Sequence, residues 1–395
     1  MASNAVPRRA DAATVFKSGT PAASLRRLHD GSIEFDYLPD YPGPPIASSL
    51  PLSTAPTVTT NGGLPPFFTN LLPEGRRLTA IRRLLKAPAD DDLSMLLAVG
   101  GDLVGDVEVA AQGGEPLVLA EVPERVDSFA DVRFADVLEA ALGPTGLTAS
   151  GIPGVQDKVS SAMITLPHGS HYILKLSPPE FPFLVENEAF FLTAARASGL
   201  RVSEARLVQD RNGVTGLQVT RFDRDNGDRF AVEDACQMLN VYPVRKYDQT
   251  AADVVDALMS RCQAAAVAAR DLFAQMVFAY LSGNGDAHAK NFSVLQNPAG
   301  EWRVAPAYDL PSTFPYGDTT MALPIEGRTS GLTRARMLSF ADRIRLSRRA
   351  ASRVLNDLTA SADDWLDRLG ELPFDSRRIH DLERFLRYRQ RELRG

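Results

Sequence analysis

A dense group of polar residues follows a long apolar stretch in the C-terminal half of the chain. Between Leu281 and Ser293 the sequence places Asp286, His288, Lys290 and Asn291 within six positions. Loops that join buried elements are common places for binding and catalytic residues. A carboxylate can accept the proton of a hydroxyl group, and carboxylate and amide oxygens are the hard ligands that Mg²⁺ prefers. The segment therefore predicts a site for chemistry on a hydroxyl group beside a divalent cation.

The spacing of these residues is typical of phosphoryl transfer. Asp286 and Asn291 stand five positions apart, like the aspartate and asparagine of the Asp-x-x-x-x-Asn catalytic loop of protein kinases. Asp309 follows Asn291 by eighteen positions, where a kinase has its magnesium-binding aspartate. We interpret Asp286 as the residue that aligns the incoming hydroxyl, and Asn291 and Asp309 as ligands of Mg²⁺. A turn capped by Asp286 and Asn291 is the alternative, because Gly, Asn and Asp all favour turns.

Composition limits the class of protein only broadly. The 395 residues are enough for two or three domains, and the net charge of −6 gives no global basis for nucleic-acid binding. The arginine-rich segment after Arg334 is interpreted mainly as solvated helix faces paired with acids. Two cysteines, Cys236 and Cys262, do not make a disulfide framework, which favours a reducing cytoplasm. No apolar run approaches the length of a membrane span, so no membrane association is expected.

The pattern of apolar residues predicts an α+β protein in three parts. Residues 1–115 form a small, turn-rich subdomain in which Ile33–Tyr37 alternates like a strand. Residues 116–235 form a β-rich lobe, and residues 236–395 form an all-helical lobe. The helical pattern begins at Val232–Leu239, and the long apolar helix over 264–281 leads into the polar loop.

Two segments of the β-rich lobe bear charges that suit a nucleotide. Lys175 lies in the apolar strand Tyr172–Leu176 and resembles the phosphate-pairing lysine of a kinase strand, although a solvent-facing edge lysine has the same pattern. Glu186 and Glu188 begin the next helix, where acids also suit the helix dipole. Either glutamate could pair with Lys175, and we favour Glu188.

Two further segments are candidates for contacting a nucleotide. The glycine-containing turn from Pro153 to Lys158 precedes a strand and could let the backbone approach phosphates, although an ordinary hairpin turn is an equal interpretation. The strand over 217–224 leads into a linker, where the backbone near Thr220 could meet an adenine edge and Phe222 could pack on its ring. Phe222 as a plain core residue is the alternative.

Together these segments resemble the HipA-type serine/threonine kinases, the toxins of type II toxin–antitoxin pairs. The resemblance rests first on the segment Gly283–Ser293 and on Pro306–Leu310. It extends to supporting segments in the other two parts of the chain, namely 50–52, 72–75, 101–105, 154–158, 186–188, 221–224 and 233–237. It implies a two-lobed, protein-kinase-like fold with a small N-terminal subdomain.

The resemblance also implies a role for each matching residue. Asp286 is the catalytic aspartate, Asn291 and Asp309 hold Mg²⁺, and Glu188 pairs with Lys175. The residues expected at ATP are Pro153, Gly154, Val155, Gln156, Asp157, Lys158, Lys175, Thr220, Arg221, Phe222, His288, Lys290 and Tyr308. A histidine that only packs the loop is the alternative for His288. The family's autophosphorylated serine has no match here, because Gly151 occupies its position and Ser150 stands one step earlier.

The function expected from the resemblance is ATP- and Mg²⁺-dependent phosphorylation of a protein serine or threonine. The substrate class would be a translation factor such as an aminoacyl-tRNA synthetase, and the outcome growth arrest. A small helix-turn-helix antitoxin of the HipB type would neutralise the kinase, and this chain would meet DNA only through it. The alternatives are a non-catalytic, nucleotide-binding corepressor and a metallophosphoesterase. The second is disfavoured because only five histidines are available as metal ligands.

Overall fold

The first part of the chain is a five-stranded antiparallel sheet. The computed structural model describes residues 11–60, 62–86, 88, 91–117, 129–142, 163–168 and 171–395. The strands of this sheet are β1 (Ala12–Lys17), β2 (Thr20–Arg27), β3 (Ile33–Tyr37), β4 (Thr57–Thr59) and β5 (Val107–Ala111). They lie in the order β4-β3-β2-β1-β5. The strand predicted at Ile33–Tyr37 is confirmed.

Three helices complete the N-terminal subdomain: α1 (Pro66–Leu71), α2 (Gly75–Leu85) and α3 (Asp92–Val99). Their apolar side chains share one core with the sheet, in which Phe35, Phe68 and Leu93 are almost wholly buried. Asp91 caps α3 by accepting a hydrogen bond from the backbone of Ser94, and it pairs with Arg27 of β2 at 2.5 Å. The subdomain therefore has its own core and an ion pair that fixes a helix start to the sheet.

The second part contains a four-stranded antiparallel sheet and two helices. In chain order these elements are α4 (Phe134–Leu142), β6 (Ile164–His168), β7 (Tyr172–Leu176), α5 (Leu184–Ala197), β8 (Ala205–Gln209) and β9 (Thr215–Thr220). The strand order is β6-β7-β9-β8. One side of the sheet packs on Phe134 and Leu138 of α4 and on Ala80 of α2, so it shares a core with the N-terminal subdomain.

The last part is mainly helical. A short hairpin of β10 (Arg224–Asp225) and β11 (Asp228–Arg229) precedes it, followed by β12 (Val232–Asp234). The helices are α6 (Ala235–Met238), α7 (Ala251–Arg261), α8 (Ala265–Ser282), α9 (Arg334–Arg343), α10 (Arg348–Leu366) and α11 (Ser376–Arg394). Between α8 and α9 lie β13 (Ser293–Gln296) and β14 (Trp302–Val304), which pair with β12 in the order β12-β13-β14.

Two predictions about this part were wrong. The lobe is not all-helical, because β13 and β14 lie within it. The helix predicted at Val232–Leu239 begins only at Ala235, because Asp234 and Gln237 form a reciprocal capping box there. The three residues before the helix, Val232–Asp234, instead pair with β13, with Val232 opposite Leu295. A strand of three residues is too short to show a periodicity in sequence.

The arginine-rich C-terminal helices carry surface ion pairs, as predicted. Arg348 pairs with Asp342 at 2.7 Å and Arg387 with Asp367 at 2.6 Å. Arg389 differs, because its guanidinium is buried and donates to the backbone carbonyl of Tyr280 at 2.7 Å. In the described part of the chain, no helix is both long and apolar enough to cross a bilayer. Cys236 and Cys262 are both buried free thiols.

Helix α8 passes through the largest core and ends at the polar loop. Its buried residues lie on all sides of the helix, and they include Phe273, Phe278 and Tyr280. It ends at Gly283, whose φ of +71° is the left-handed conformation that glycine adopts without strain. A side chain at Gly285 would come within 2.5 Å of the backbone oxygen of Thr320, so this position also requires glycine. The loop after α8 is thus fixed by a helix cap and a close backbone approach.

Replacing Gly100 by alanine should destabilise the N-terminal subdomain. A Cβ at this position, where α3 ends, would lie 1.9 Å from the backbone oxygen of Val109 in β5. The strand would have to move away from the helix, at a cost of about 2 kcal/mol or more. Thermal unfolding should show a lower midpoint for Gly100→Ala. The matched control is Gly370→Ala, because a Cβ there would meet nothing within 4 Å; equal midpoints for the two variants would contradict the packing described.

Candidate active site

Asp286 is held in one orientation by the loop that follows α8. Its backbone N–H donates to Asn284 Oδ1 at 3.0 Å, and its backbone oxygen accepts from the N–H of His288 at 2.8 Å. The hydroxyl of Tyr247 donates to Asp286 Oδ1 at 2.7 Å. The residue is buried, with 2% of its surface exposed, and it is not among the residues that line the cavity described below. Tyr247 thus fixes one carboxylate oxygen of Asp286, and sequence reasoning had not identified it.

Asn291 and Asp309 meet although eighteen residues separate them. Asn291 Nδ2 donates to Asp309 Oδ2 at 2.9 Å, and Asn291 Oδ1 accepts from the backbone N–H of His288 at 3.0 Å. Asp309 has a φ of +59°, which is uncommon for a residue other than glycine. Its backbone oxygen accepts from Asn284 Nδ2 at 3.1 Å. Asn284, another residue that sequence reasoning missed, therefore joins the Asp286 loop to Asp309.

Lys175 forms the charged centre of the site. Its ammonium lies 2.7 Å from Glu188 Oε1 and 2.9 Å from Asp309 Oδ1. Glu188, rather than Glu186, is thus the acid of α5 that contacts this lysine. Lys175 belongs to β7 and Asp309 to the C-terminal lobe, so the cluster connects the two lobes.

The buried charges of this cluster shift one another's pKa values. Burial by itself lowers the pKa of Lys175, but the carboxylates of Asp309 and Glu188 outweigh it and raise that pKa. Burial alone raises the pKa of Asp309, whereas Lys175 and the Asn291 amide lower it below the ordinary value of an aspartate. Burial raises the pKa of Glu188, and the nearby Asp309 charge adds to this effect. The lysine therefore stays charged between two carboxyl groups.

A cavity of about 370 Å³ lies over these residues. Its walls come from all three parts of the chain, including Leu72 and Leu103 of the N-terminal subdomain and Val219 of β9. Of the predicted site residues, those that line it are Lys175, Glu188, Thr220, Arg221, Phe222, His288, Lys290, Asn291, Tyr308 and Asp309. The described part of the predicted site, apart from Asp286, thus lines one mostly apolar cavity that also contains charged groups, a form typical of small-molecule pockets.

The rings of Phe222 and Tyr308 lie at the apolar side of the cavity. Their centroids are 5.6 Å apart, and the Tyr308 hydroxyl donates to the backbone oxygen of Lys290 at 2.7 Å. The N–H groups of Thr220 and Arg221 already donate to Glu204 and His171 backbone oxygens, at 2.7 and 2.8 Å. A flat heterocycle in the cavity would therefore meet aromatic faces rather than these two N–H groups.

The side chain of Arg221 is engaged in a contact between subdomains. Its guanidinium donates to both oxygens of Asp223 at 3.0 Å, to the Leu103 backbone oxygen at 3.0 Å and to Asp102. Burial lowers the pKa of this guanidinium, but the two aspartates reverse the effect and raise it. Arg221 lines the cavity, yet its charge is already neutralised by Asp102 and Asp223.

His288 directly precedes a short 3₁₀ turn, Ala289–Asn291, and Lys290 lies within that turn. Burial is the main cause that lowers the pKa of His288 to about 3, so its ring is neutral at pH 7. The ring contacts that of Tyr247, with 5.1 Å between centroids. Lys290 forms an ion pair with Glu74 at 2.8 Å and donates to the backbone oxygen of Asn70 at 2.9 Å. Glu74 was also missed, because the acid lies more than two hundred residues upstream.

The predicted phosphate loop, Pro153, Gly154, Val155, Gln156, Asp157 and Lys158, lies outside the described residues. The same applies to Ser150 and Gly151. These residues stay predictions.

The donor set fits a magnesium ion. Mg²⁺ in nucleotide sites commonly takes one or two protein oxygen ligands and several from phosphates and water. Asp309 offers both carboxylate oxygens, each of which has a lone pair beyond its present hydrogen bond. Asn291 presents its amide nitrogen to Asp309, so only its Oδ1, through the second lone pair or after rotation of the amide, could bind a cation. Among the described residues, no group of three or more His, Cys, Asp or Glu has the geometry of a metal centre.

The fold and the site together define a two-lobed, kinase-like α+β protein. The Lys175–Glu188 pair, the loop aspartate and the Asn291–Asp309 pair correspond to the lysine–glutamate pair, catalytic loop and magnesium-binding aspartate of that class. Family models place the chain within it: the model described as the HipA N-terminal domain matches residues 13–110, and the model described as the HipA-like C-terminal domain matches residues 150–366. The chain belongs to the HipA family, and the resemblance found in its motifs is confirmed.

Individual relatives agree with this assignment. The protein Y4mE of Sinorhizobium fredii, provisionally named a kinase, is 32% identical over 346 residues, which are 80% of this chain and 81% of Y4mE. The serine/threonine-protein kinase toxin HipA of Shewanella oneidensis is 26% identical over 345 residues, covering 78% and 76% of the two chains. A solved structure of Shewanella oneidensis HipA with HipB and operator DNA has a TM-score of 0.74 at 21% identity and covers 96% of this chain and 95% of that one. That structure confirms the predicted fold class.

Replacing Lys175 by methionine should destabilise the protein, because it leaves two acids without their cation. The change would leave Glu188 and Asp309 near each other without a cation, and breaking a buried charge pair in this way costs about 3 kcal/mol or more. Denaturant unfolding should show a lower midpoint. The double variant Lys175→Met/Glu188→Gln should recover part of the loss, since one unpaired charge is removed. A double variant that is less stable than the single one would contradict the assigned geometry.

Proposed function

We propose that this protein is an ATP- and Mg²⁺-dependent kinase that phosphorylates a serine or threonine of another protein. The observation that supports it best is the connected set Glu188–Lys175–Asp309–Asn291, with Asp286 joined to it through Asn284. This is the set of groups that phosphoryl transfer requires for positioning and charge neutralisation. Membership of the HipA family supports the same activity.

Each residue has a role in this proposal. Lys175 contacts the nucleotide phosphates, and Glu188 keeps the ammonium in place. Phe222 and Tyr308 pack against the adenine, while His288 and Lys290 flank the nucleotide. When bound, Mg²⁺ neutralises phosphate charge, and Asp309 and Asn291 are the residues that would hold it. The side chain of Arg221 fixes the linker after β9 and does not bind phosphate, because its N–H groups already donate to Asp102 and Asp223.

Asp286 would align and deprotonate the incoming hydroxyl. The Tyr247 hydroxyl donates to Oδ1 and so fixes the orientation of this carboxylate. A neutral His288 beside Tyr247 adds no positive charge that would draw the carboxylate away. The loop therefore presents an oriented carboxylate for a proton transfer at the entering hydroxyl.

The proposed partner and substrate class rest on membership of the HipA family. We propose a small HipB-like, helix-turn-helix antitoxin, supported by the similar structure of a HipA protein with HipB and operator DNA. DNA would then be reached through the antitoxin. The proposed substrate class is a translation factor such as an aminoacyl-tRNA synthetase, with growth arrest in the cytoplasm as the outcome.

A radiolabelled-ATP transfer assay tests the kinase proposal. The full chain would be incubated with Mg²⁺ and a whole-cell lysate, and mass spectrometry would identify any labelled protein. Label on a lysate protein supports the proposal and names the substrate. Nucleotide binding without any transfer would favour a corepressor that binds ATP and the antitoxin but catalyses nothing.

The variant Asp286→Asn should lose phosphate transfer but retain ATP binding. The substitution removes the proton acceptor but retains the shape of the side chain and the bond to Tyr247. We expect turnover to fall at least a hundredfold, which is within the range for loss of a general base, and the dissociation constant for ATP to change less than threefold. Initial rates and calorimetric titration measure the two quantities. Wild-type turnover in this variant would remove Asp286 from the mechanism.

The variant Asp309→Ala should weaken ATP binding and also lower the rate of phosphate transfer. It removes a carboxylate oxygen for Mg²⁺ and one partner of Lys175, so ATP binding in the presence of Mg²⁺ should weaken at least tenfold, together with turnover. Titrations with and without Mg²⁺ separate the two contributions. If the affinity for ATP with Mg²⁺ stayed the same, Asp309 would not be a metal ligand.

A further inference from the structure

Glu74 of the N-terminal subdomain contacts two lysines of the C-terminal lobe. Its carboxylate pairs with Lys290 at 2.8 Å and with Lys246. Both lysine side chains are largely buried, with 13% and 9% of their surface exposed, whereas Glu74 is 31% exposed. Glu74 and Lys290 line the cavity, and one acid from the first subdomain thus neutralises two cations of the C-terminal lobe.

The position of Glu74 at the start of α2 is unusual for such a residue. It is the N-cap residue, and N-cap side chains commonly accept a hydrogen bond from the first turn of their own helix. Glu74 makes no such bond. Its carboxylate is directed at the lysines instead, although the helix loses a cap. The helix itself is anchored, because Ala80 and Ile81 are buried and Arg76 pairs with Glu180 at 2.8 Å.

Each lysine directly precedes a residue of the proposed mechanism. Lys246 is followed by Tyr247, whose hydroxyl orients Asp286 at 2.7 Å. Lys290 is followed by Asn291, whose amide contacts Asp309 at 2.9 Å. The two lysine segments also touch, because the N–H of Ala289 donates to the backbone oxygen of Lys246 at 3.2 Å. A displacement of either lysine side chain would therefore also displace the residue that follows it, which is Tyr247 or Asn291.

The pKa shifts of Glu74 and Lys290 indicate that their ion pair persists near neutral pH. Burial alone raises the pKa of Glu74, but Lys290 and Lys246 lower it well below the ordinary range of a glutamate. Burial alone lowers the pKa of Lys290, and the Glu74 carboxylate reverses this effect and raises that pKa. Glu74 and Lys290 are therefore both ionised at pH 7.

We propose that Glu74 is a positioning residue through which the N-terminal subdomain holds the Tyr247 and Asn291 segments in their catalytic arrangement. This inference rests on the proposed kinase function for its consequence on turnover. Its structural part, that Glu74 fixes the Tyr247 and Asn291 segments, does not depend on that function. The N-terminal subdomain is then required for the arrangement of the active site.

The variant Glu74→Gln tests the proposal in the full-length chain. It keeps the size of the side chain but removes the charge that both lysines share. Hydrogen–deuterium exchange should become faster in peptides that cover 243–248 and 286–291. Turnover should fall about tenfold or more, since misplacement of a catalytic group by even 1 Å can cost up to about a hundredfold. The KM for ATP should stay within threefold.

The controls separate positioning from a general loss of stability. Glu34→Gln removes an acid of the same subdomain that pairs with the exposed Arg26 and does not line the cavity; it should change neither exchange nor turnover. Glu74→Asp keeps the charge on a shorter side chain and should recover part of the activity. If Glu74→Gln did not fold, Glu74→Asp would serve as the test, with a smaller loss of turnover and the same pattern of exchange.

The possible outcomes distinguish this inference from the kinase proposal. Unchanged exchange over both segments would overturn the positioning role whatever the turnover. Faster exchange with unchanged turnover would overturn its catalytic consequence. Higher turnover or tighter ATP binding in Glu74→Gln would show that the acid obstructs the site, which also overturns the proposal. Absence of transfer in the wild-type chain would reject the kinase function, and the exchange data alone would then decide whether Glu74 holds the segments.

Discussion

The ion-pair cluster around Lys175 is the interaction on which the site depends. A single ammonium from β7 contacts Glu188 of α5 and Asp309 of the C-terminal lobe, at 2.7 and 2.9 Å. Removing such a charge from water is expensive, and only two opposing charges at short distance offset that cost. The cluster therefore fixes the relative position of α5, the second sheet and the segment containing Asp309. The cavity exists in its present form because these three elements are held together at its charged end.

The N-terminal subdomain is joined to this arrangement by a second set of charges. Asp102 pairs with Arg221 at the linker after β9, Ser48 donates to Glu233, and Glu74 contacts the two lysines near the loop. All three contacts involve buried or half-buried groups, for which a wrong arrangement would leave charges or hydrogen-bonding groups unpaired. The small subdomain thus adds a wall to the cavity and also restricts how the other two parts can move.

The loop after α8 shows how backbone geometry supports the chemistry. Gly283 ends the helix in the left-handed conformation, and Gly285 allows the backbone of Thr320 to approach. Between them, Asn284 uses both ends of its amide to bind the backbones of Asp286 and Asp309. A segment without regular structure is therefore fixed by a helix cap, a close backbone approach and two hydrogen bonds of one amide.

Much of the local structure was predictable from the sequence by itself, and so were many of the described residues that meet at the cavity. Periodicity found β3, β7 and the long helices, because each element buries a repeating face. The types and spacing of Asp286, Asn291 and Asp309 indicated phosphoryl transfer, because carboxylates and amides at those separations suit few other chemistries. The strands β12, β13 and β14 were not predicted, since three or four residues show no period. The pairing of β12 with β13 also joins residues some sixty positions apart.

The tertiary structure alone decided which charges meet. Glu186 and Glu188 are equivalent in sequence, and only the rotation of α5 against β7 selects Glu188 as the partner of Lys175. Tyr247 and Glu74 have no motif at all; they join the site because the chain folds back and buries lysines and a carboxylate that would otherwise be unpaired. Short-range patterns determine which residues can do chemistry. The pairing of buried charges over long range decides how those residues are held, because it depends on distances in space that no local pattern contains.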